Sequence, residues 1–466
     1  MNNFHFTKII ASVSPILAKE TVLSKIINLV DVFSITLSHG YDDNNKKYID
    51  TLMKLDNSKT IIIETRGNNI RVKNTDSVPV ALGQNIIVDY SEYTQESEKK
   101  IYIDYGHLDL LDIWDEIIFE QSQAIAKVKS KKEDYVECEI TRAEKKKVLL
   151  YDRVSLQHNE EEKNSISEQD KKDILWGVEY GAHIVCLAAC NSLAHLESCR
   201  FFLEDHNHET VKVFAKIETE TWFKNIEEIS TIADGIILTV DMIEELQNED
   251  ILSQMIDNLR EKGLPVIITY AKKQGTLDYP FNEEKSIEKI CQYGVDGIMM
   301  ETLIDEETVF DVIDALGKNV EKYETTVESK KLSKFEKNEN EIRDYIIYNA
   351  YRVTKELDIK AIVCFTETWY SAAKIASLNP KVPVITFTKE NSTYRFLNLI
   401  WGVKGYKISQ SFNYESLKKI GKEMIRIIFK WNISLDDKIL IIQTNEDNSD
   451  EKKEMNGIEL YNFKNI

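Results

Sequence analysis

One stretch of the sequence places charged side chains where they could do chemistry. In VFAKIETETWFKNIEEISTIADGIILTVDMIEEL (213–246), Lys216 and Glu218 stand two residues apart in an apolar run, and a second apolar run ends at Asp241. Alternate residues of a strand point to the same face, so the Lys216 ammonium and the Glu218 carboxylate would share one side of a buried strand. Such a set is either a metal-binding site, intact or decayed, or an ion pair inside a folded core. The residues alone favour the ion pair.

The elements that must position these residues are short β-branched runs, separated by segments with helical periodicity such as NEDILSQMIDNLREKG. Near-continuous apolar character is typical of parallel strands that are buried on both faces. Eight such β–α units predict an α/β fold of the TIM barrel type, whose chemistry lies at the C-terminal ends of the strands. The eight runs cover 7–14, 32–40, 60–65, 183–189, 211–218, 234–241, 265–271 and 296–302.

Two further parts of the chain have different patterns. The segments NIIVDY, KKIYIDYG, EIIFEQ and AIAKVKS alternate apolar and polar residues, and they predict a small β-barrel domain inserted into the TIM barrel. The charged linker KKLSKFEKNENE (330–341) precedes a helix and the runs KAIVCFTET, VPVITFT, YKISQS and KILIIQT, which predict a C-terminal α/β domain. The predicted domains are 1–70 with 166–328, 71–165, and 329–466.

Composition limits the environment and the partners. The formal net charge of −20 disfavours nucleic acids and anionic membranes as partners, because both need positive protein surface. The six cysteines include no CxxC pair, which argues against a disulfide framework and a structural zinc site and for a reducing compartment. The N-terminus lacks a basic segment followed by a long apolar one, so no secretory signal is predicted. A cytoplasmic location is therefore expected.

The order and spacing of several motifs resemble the pyruvate kinase family along almost the whole chain. The resemblance rests on TKIIASVSP, DVFSITLSHG, IIIETRGNNIRV, SEQDKKDILWGVEYGAHIV, KIETETWFKNIEEISTIADGIIL, GLPVI and LIWGV. It implies a barrel with a lid-type insertion and transfer of a phosphoryl group from phosphoenolpyruvate to ADP in glycolysis, with magnesium and potassium as cofactors. Catalysis of this kind positions the phosphates and neutralises their charge with cations.

The resemblance also assigns roles to individual residues. Lys216 would lie against the transferring phosphoryl group, and Glu218 would bind magnesium through hard carboxylate oxygens. The positions that hold potassium in the family correspond to Thr36, Ser38, Glu64 and Thr65. Arg71 corresponds to an arginine on the nucleotide side of the family's site.

Several of these positions depart from the family pattern. The family motif R-L-N-F-S-H-G reads SITLSHG, so Ser34 replaces the arginine that holds the phosphoryl group and Thr36 replaces an asparagine. The motif D-T-K-G reads ETRG, which makes Glu64 one methylene longer than the family's aspartate. The motif A-T-Q-M reads TYAK, and we expect Tyr270, at the substrate-binding threonine, to fill the pocket rather than bind substrate.

Two glycine-containing turns of the family are also replaced. The turn A-R-G-D-L-G reads LTVDMIE: without a gap, Met242 takes the place of the metal-binding aspartate, and Asp241 recovers that role only if one residue is deleted. The glycines that let backbone N–H groups approach the substrate carboxylate are absent. The sugar-phosphate loop T-x-S-G-x-[ST]-A reads TETWYSA, and the charge of Glu367 with the rings of Trp369 and Tyr370 predicts no such effector.

These replacements predict a catalytically impaired or inactive pyruvate-kinase-like subunit that assembles with an active paralog as a hetero-oligomer, taken to be a tetramer. The site positions have changed while the barrel runs and interdomain segments stay recognisable, as expected of selective loss. Two alternatives remain open. One is a divergent but active pyruvate kinase that uses Lys216, Glu218 and Asp241, and the other is a sensor that binds a nucleotide or metabolite without turnover. Trp401, Phe429 and Trp431 are candidate interface residues, although such residues more often lie in a core.

Overall fold

The structure is a computed structural model. It describes residues 4–13, 19–37, 43–67, 70–74, 76–90, 100–103, 108, 111–119, 122–132, 135–149, 152–156, 165–218, 223–246, 248–270, 281–303, 308–331, 341–408, 414–430, 432–443 and 457–466. The backbone divides into two compact units, one of Met1–Arg66 with Glu168–Ile466 and one of Gly67–Ser167. The segment predicted as an insertion, 71–165, falls within the second unit. Strands and helices are numbered below in chain order.

The predicted TIM barrel is confirmed. Eight parallel strands close on themselves, and their order around the barrel is their order along the chain. Each of the eight apolar runs supplies one strand: β1 (Lys8–Val13), β2 (Val32–Thr36), β3 (Thr60–Glu64), β13 (Ile184–Leu187), β14 (Lys212–Ile217), β15 (Gly235–Leu238), β16 (Val266–Tyr270) and β17 (Gly297–Leu303).

The helices around the barrel follow from capping and amphipathic spacing. The helix Glu249–Glu261, for example, begins where the Asn248 side chain accepts a hydrogen bond from the Ile251 backbone N–H at 3.1 Å. Its buried residues Leu252, Ile256 and Leu259 recur at intervals of four and three residues, which forms one apolar face. The barrel helices are α1 (Glu20–Ile26), α2 (Asp43–Leu55), α3 (Glu168–Glu179), α4 (Leu193–Asp205), α5 (Ile226–Ile229), α6 (Val240–Leu246), α7 (Glu249–Glu261), α8 (Phe281–Gln292) and α9 (Val309–Tyr323), followed by the 3₁₀ turn Glu324–Thr326.

Alternate strand residues form the barrel interior, as the pleat requires. A Cβ atom added to Gly235 would come within 2.5 Å of the Phe214 ring on the neighbouring strand, so only glycine leaves room for that ring. The buried interior residues of the lower layer belong to one hydrophobic cluster and include Ile10, Val32, Ile62, Ile184, Phe214, Ile237, Ile267 and Met299. The residues two positions further along several strands are polar, so the interior changes from apolar to polar towards the C-terminal strand ends.

The second unit is the predicted β domain. A seven-stranded sheet has the order β4-β12-β8-β9-β10-β6-β7, and β11 pairs with β5. An isolated antiparallel bridge between Val72 and Ile103 connects the residues next to the two edge strands, β4 and β7. The strands are β4 (Ile70–Arg71), β5 (Val78–Pro79), β6 (Asn85–Asp89), β7 (Lys100–Tyr102), β8 (Glu116–Phe119), β9 (Ala124–Lys131), β10 (Tyr135–Ala143), β11 (Lys147–Val148) and β12 (Arg153–Leu156).

The C-terminal α/β domain is also confirmed. Its five-stranded sheet has the order β20-β19-β18-β21-β22, in which β22 is antiparallel to β21 and the other pairs are parallel. The predicted third run, 406–411, is a strand at Val403–Lys407, and β22 was not predicted. The elements are α10 (Glu341–Glu356), β18 (Ile359–Phe365), α11 (Tyr370–Ala376), β19 (Val384–Thr388), α12 (Asn391–Leu397), β20 (Val403–Lys407), α13 (Tyr414–Ile428), β21 (Lys438–Gln443), β22 (Gly457–Asn462) and the 3₁₀ turn Phe463–Asn465.

A buried ion pair of the barrel makes hydrogen bonds to the C-terminal domain. Arg260 Nε lies 3.2 Å from Asp296 Oδ2, and the other guanidinium nitrogens donate to Asn379 Oδ1 at 2.9 Å and to the Ala376 carbonyl at 3.1 Å. Asp296 also accepts from the backbone N–H of Trp401 at 2.9 Å. Trp401 is 1% exposed, so this interface candidate is a core residue of the chain itself. Phe429 packs against the C-terminal core, and Trp431 lies outside the described residues.

None of the described helices combines the length and the apolar character that crossing a membrane requires. All six cysteines are buried free thiols.

Candidate functional site

An ion pair at the C-terminal ends of two barrel strands is the centre of the candidate site. Lys216 Nζ, on β14, lies 2.8 Å from Glu64 Oε1, on β3. The two side chains are 6% and 12% exposed, so little solvent screens the attraction between their charges. The sequence placed both residues at the barrel mouth, and the structure brings them into direct contact.

The strand register explains how residues 152 positions apart in the chain meet. Glu64 is opposite Thr36 on β2 and opposite Cys186 on β13, and β13 in turn pairs with β14. Cys186 therefore lies between the two strands that carry the charges. Burial raises the pKa of the Cys186 thiol well above its usual range, and the Glu64 and Glu218 carboxylates raise it further, while the Lys216 ammonium opposes them. The thiol stays protonated and is a poor nucleophile.

Glu218 belongs to the same face of β14 as Lys216. It follows the last residue of the strand and is 8% exposed, which leaves its carboxylate at the edge of the polar interior. Across the described ranges, no three or more His, Cys, Asp or Glu side chains come together as a possible metal site. Glu218 thus stays a predicted magnesium ligand.

The predicted potassium positions are arranged around β3. Thr65 is 1% exposed, and its hydroxyl accepts a hydrogen bond from the Ala188 backbone N–H at 3.2 Å while its own N–H donates to the Cys186 carbonyl at 3.0 Å. Thr36 is the last residue of β2, directly opposite Glu64. Ser38 lies outside the described residues.

The two substituted positions lie on the barrel strands β2 and β16. Ser34 is fully buried, pairs with Ser12 and Ile62, and its hydroxyl has no hydrogen-bond partner in the part of the chain that the structure describes. Tyr270 ends β16, and it follows Thr269, which shares the interior face with Ile267. The Tyr270 side chain is partly buried, and its filling of the substrate pocket stays a prediction.

The segment around Asp241 differs from the sequence prediction. The strand predicted over 234–241 ends at Leu238, and the helix α6 begins at Val240, so Asp241 lies in the first turn of a helix. The Thr239 hydroxyl accepts a hydrogen bond from the Met242 backbone N–H at 3.4 Å, as a helix-capping residue does. Met242 is fully buried. The glycine-free sequence VDMIEEL can continue as a helix, whereas a glycine-rich turn would have interrupted it.

Arg71 belongs to the second unit. It is in the short strand β4 and pairs with Arg153 of β12 in an antiparallel ladder. Its side chain is partly exposed, and its nucleotide-side role remains a prediction.

Sequence reasoning missed a second ion pair that fixes the end of β3. Arg66 Nε and Nη2 lie 3.1 and 3.3 Å from the two carboxylate oxygens of Asp173. Asp173 is fully buried and also accepts a hydrogen bond from Gln169 at 2.8 Å. Burial raises the pKa of the Asp173 carboxyl, and the hydrogen bond from Gln169 and the charge of Arg66 oppose that rise. Both residues lie in motifs that carry the family resemblance, ETRG and SEQDKKDI, which was the available signal. The pair holds the backbone directly after Glu64 and Thr65.

Comparison with known proteins decides the family. A model described as the barrel domain of pyruvate kinase matches residues 4–281, and one described as its alpha/beta domain matches residues 344–458. The chain belongs to the pyruvate kinase family. The pyruvate kinase of Borreliella burgdorferi is 24% identical over 468 residues, covering 96% of this chain and 95% of that protein. The pyruvate kinase of Staphylococcus aureus is 27% identical over 430 residues, covering 85% and 71%.

A solved structure agrees with the fold. The crystal structure of Cryptosporidium parvum pyruvate kinase has a TM-score of 0.76 and 17% identity to this chain. The alignment covers 98% of this chain and 97% of the Cryptosporidium parvum chain. At that identity the similarity shows the shared fold.

Members of the pyruvate kinase family depend in general on magnesium and potassium. Glu218 suits magnesium, because this ion is commonly held by one or two carboxylates together with substrate phosphates. The described potassium positions, Thr36, Glu64 and Thr65, fit that ion poorly. The Glu64 carboxylate binds an ammonium, the Thr65 hydroxyl accepts from Ala188, and Thr36 lacks the amide oxygen of an asparagine.

Proposed function

We propose that this chain is a pyruvate-kinase-like subunit with impaired phosphoryl transfer that assembles with an active paralog. The observation that carries the impairment is Ser34. It is a buried, neutral side chain on the interior face of β2, at the position where the family has an arginine for the phosphoryl group. A serine hydroxyl supplies neither the charge nor the two-pronged geometry with which a guanidinium binds phosphate oxygens.

The remaining groups would bind rather than drive the reaction. Glu218 would hold magnesium together with phosphate oxygens, and the ion would supply neutralisation of phosphate charge. Lys216 carries the cationic side chain nearest to Glu218 along β14, but its ammonium is in contact with Glu64 at 2.8 Å. An ammonium that is already paired with a protein carboxylate stabilises the charge that develops on a phosphoryl group less than an ammonium that is positioned to face that group.

The expected loss is large. An arginine that stabilises transferring phosphate contributes about 10³–10⁵ in rate, and removing one preorganised donor costs roughly 10²–10³. The purified chain should therefore convert phosphoenolpyruvate and ADP at less than about a hundredth of an ordinary family rate, even after allowing for effects that do not add.

A coupled assay for pyruvate on the chain expressed alone is the test, with Lys216→Met as the matched variant. We expect a very low rate that Lys216→Met hardly changes. A high rate with magnesium that Lys216→Met abolishes would contradict the impairment and would establish the divergent active enzyme.

The partner is the second part of the proposal. The chain keeps the barrel core, both additional domains and the buried Arg260–Asp296 pair, whereas several site positions are replaced. This pattern is expected of a subunit retained for assembly, because assembly needs the fold and not the catalytic residues. At −20, the chain repels its own copies more than it repels a less acidic relative, although salt screens charges beyond roughly 8–10 Å. Native mass spectrometry of the chain mixed with a paralog should show mixed oligomers. A homotetramer that ignores the paralog would contradict this part.

The same preparation separates the sensor alternative. A melting temperature that rises with nucleotide or metabolite, without turnover and without mixed oligomers, would favour a sensor over a partner subunit.

A further inference from the structure

The contact between Glu64 and Lys216 shows which group neutralises the Glu64 carboxylate at the C-terminal end of the barrel. We infer that the Lys216 ammonium takes the place of a monovalent metal cation at the Glu64 carboxylate, so that the chain carries its own cation and binds no potassium there. This rests on the proposed function only in taking Glu64 as the family's cation-binding carboxylate.

The geometry of three neighbouring strands makes the contact possible. Glu64 is on β3 and Lys216 is on β14, with β13 between them, so the two backbones lie about 10 Å apart at roughly 4.8 Å per strand. Long side chains from both strands bridge that gap over the small thiol of Cys186, and the Nζ and Oε1 atoms meet at 2.8 Å. An aspartate would fall short by about one carbon–carbon bond, roughly 1.5 Å.

The extra methylene of Glu64 thus has a specific consequence. It carries the carboxylate across to the ammonium, whereas the shorter aspartate of the family would leave an oxygen nearer to its own strand. Restoring the shorter residue should separate the two charges and leave the carboxylate to attract a cation from solution.

The surrounding groups agree with this assignment. A second cation beside the same carboxylate would meet the repulsion of an ammonium that is 6% exposed and therefore poorly screened. Two neighbouring oxygen donors are also weakened as ligands. The Thr65 hydroxyl uses a lone pair on the Ala188 N–H, and Thr36, opposite Glu64, has a hydroxyl in place of an amide oxygen.

The test compares the melting temperature of the whole chain in potassium, sodium and tetramethylammonium chloride at equal ionic strength. Tetramethylammonium is too large to enter a site for potassium, so it reports the effect of ionic strength alone. For the wild-type chain we expect melting temperatures that agree within about 1 °C, because an ion that does not bind the folded state cannot shift its stability.

Two matched variants test whether potassium binds once the Glu64 side chain is shortened. Glu64→Asp should gain a saturable, potassium-specific rise of about 3 °C, the size expected for occupation well above the dissociation constant in a chain of this length. Glu64→Gln, which has the length but no charge, should show no preference among the salts.

The outcomes divide clearly. A wild-type chain that melts about 3 °C higher in potassium, with the rise lost in Glu64→Gln, would overturn the inference, and so would a folded Glu64→Asp without a potassium response. Should Glu64→Asp fail to fold, equilibrium dialysis of the wild-type chain with radioactive rubidium decides: absence of saturable binding supports the inference, and saturable binding that Glu64→Gln removes refutes it. Melting and dialysis need no turnover, so an active chain would contradict the proposed function and leave this result unaffected.

Discussion

Two buried ion pairs occupy opposite ends of the same barrel, and they differ in what surrounds them. The Arg260–Asp296 pair, at the N-terminal end of β17, is enclosed by backbone groups: Asp296 accepts from Val266 and Trp401, and Arg260 donates to the Ala376 carbonyl. The Lys216–Glu64 pair lies at the C-terminal ends, where the neighbouring strand positions are Thr36 and Cys186. The first pair stabilises a junction between domains, and the second occupies the place where the family does its chemistry.

Breaking the junction pair should have the largest effect on stability. Arg260→Met leaves the Asp296 carboxylate in a site where it is 3% exposed, and losing one partner of a buried pair typically costs about 3–5 kcal/mol. Urea denaturation should therefore show a markedly lower midpoint. Arg352→Ala is the control, because it breaks an exposed i,i+4 pair with Glu356 and should leave the midpoint almost unchanged.

A single buried carboxyl near the same junction should give stability a dependence on pH. Glu324 accepts hydrogen bonds from the backbone N–H groups of Phe6 and Thr7 at 2.8 and 3.1 Å, and burial raises the pKa of its carboxyl from 4.5 to about 7. Because the folded-state pKa is the higher one, the folded chain holds the proton more tightly. The Glu324 contribution is therefore greatest below about pH 4.5 and is lost by about pH 7, in total about 3 kcal/mol.

The comparison of wild type with Glu324→Gln isolates this carboxyl. The difference between their urea midpoints should change as the pH rises from 4.5 through about 7, and it should be constant at higher pH. Glu328→Gln, at an exposed position that is not among the charges acting on Glu324, is the control and should follow the wild type at every pH. A Glu324→Gln chain with the same pH profile as the wild type would contradict the assignment.

Breaking the mouth pair should cost less than breaking the junction pair. Lys216→Met leaves a Glu64 side chain that is 12% exposed, against 4% for Asp296, so we expect a loss at or below the lower end of the roughly 3–5 kcal/mol range for a broken buried pair. The double variant Lys216→Met with Glu64→Gln should recover part of it, because no charge remains unpaired. A double variant less stable than Lys216→Met would show that the carboxylate is held by other groups.

Much of the fold was predictable because its signals are local. Eight apolar runs gave eight barrel strands, since strands buried on both faces have few polar residues. The strands β10 and β22 were missed because charged residues such as Glu137, Glu139 and Glu459 interrupt their apolar residues. The end of β15 was placed three residues late, because a threonine that caps a helix cannot be distinguished by pattern from the end of a strand.

The motifs predicted which residues belong to the candidate site but not how their side chains contact one another. Motif matching found Lys216, Glu218, Glu64 and Thr65 one by one. The salt bridge between Lys216 and Glu64 depends on the strand order and on side-chain length across an intervening strand, which no local pattern records. The Arg66–Asp173 pair was missed for the same reason, since its two members come from separate motifs 107 residues apart.

The central claim is that the replaced positions, Ser34 above all, have reduced phosphoryl transfer. Steady-state conversion of phosphoenolpyruvate and ADP to pyruvate, by wild type and by folded Ser34→Arg at saturating magnesium, tests it most directly. We expect a wild-type rate below about a hundredth of an ordinary family rate and a rise of at least about tenfold in Ser34→Arg, since the restored guanidinium can contribute up to about 10³–10⁵. A wild-type chain that turns over at an ordinary family rate would contradict the account.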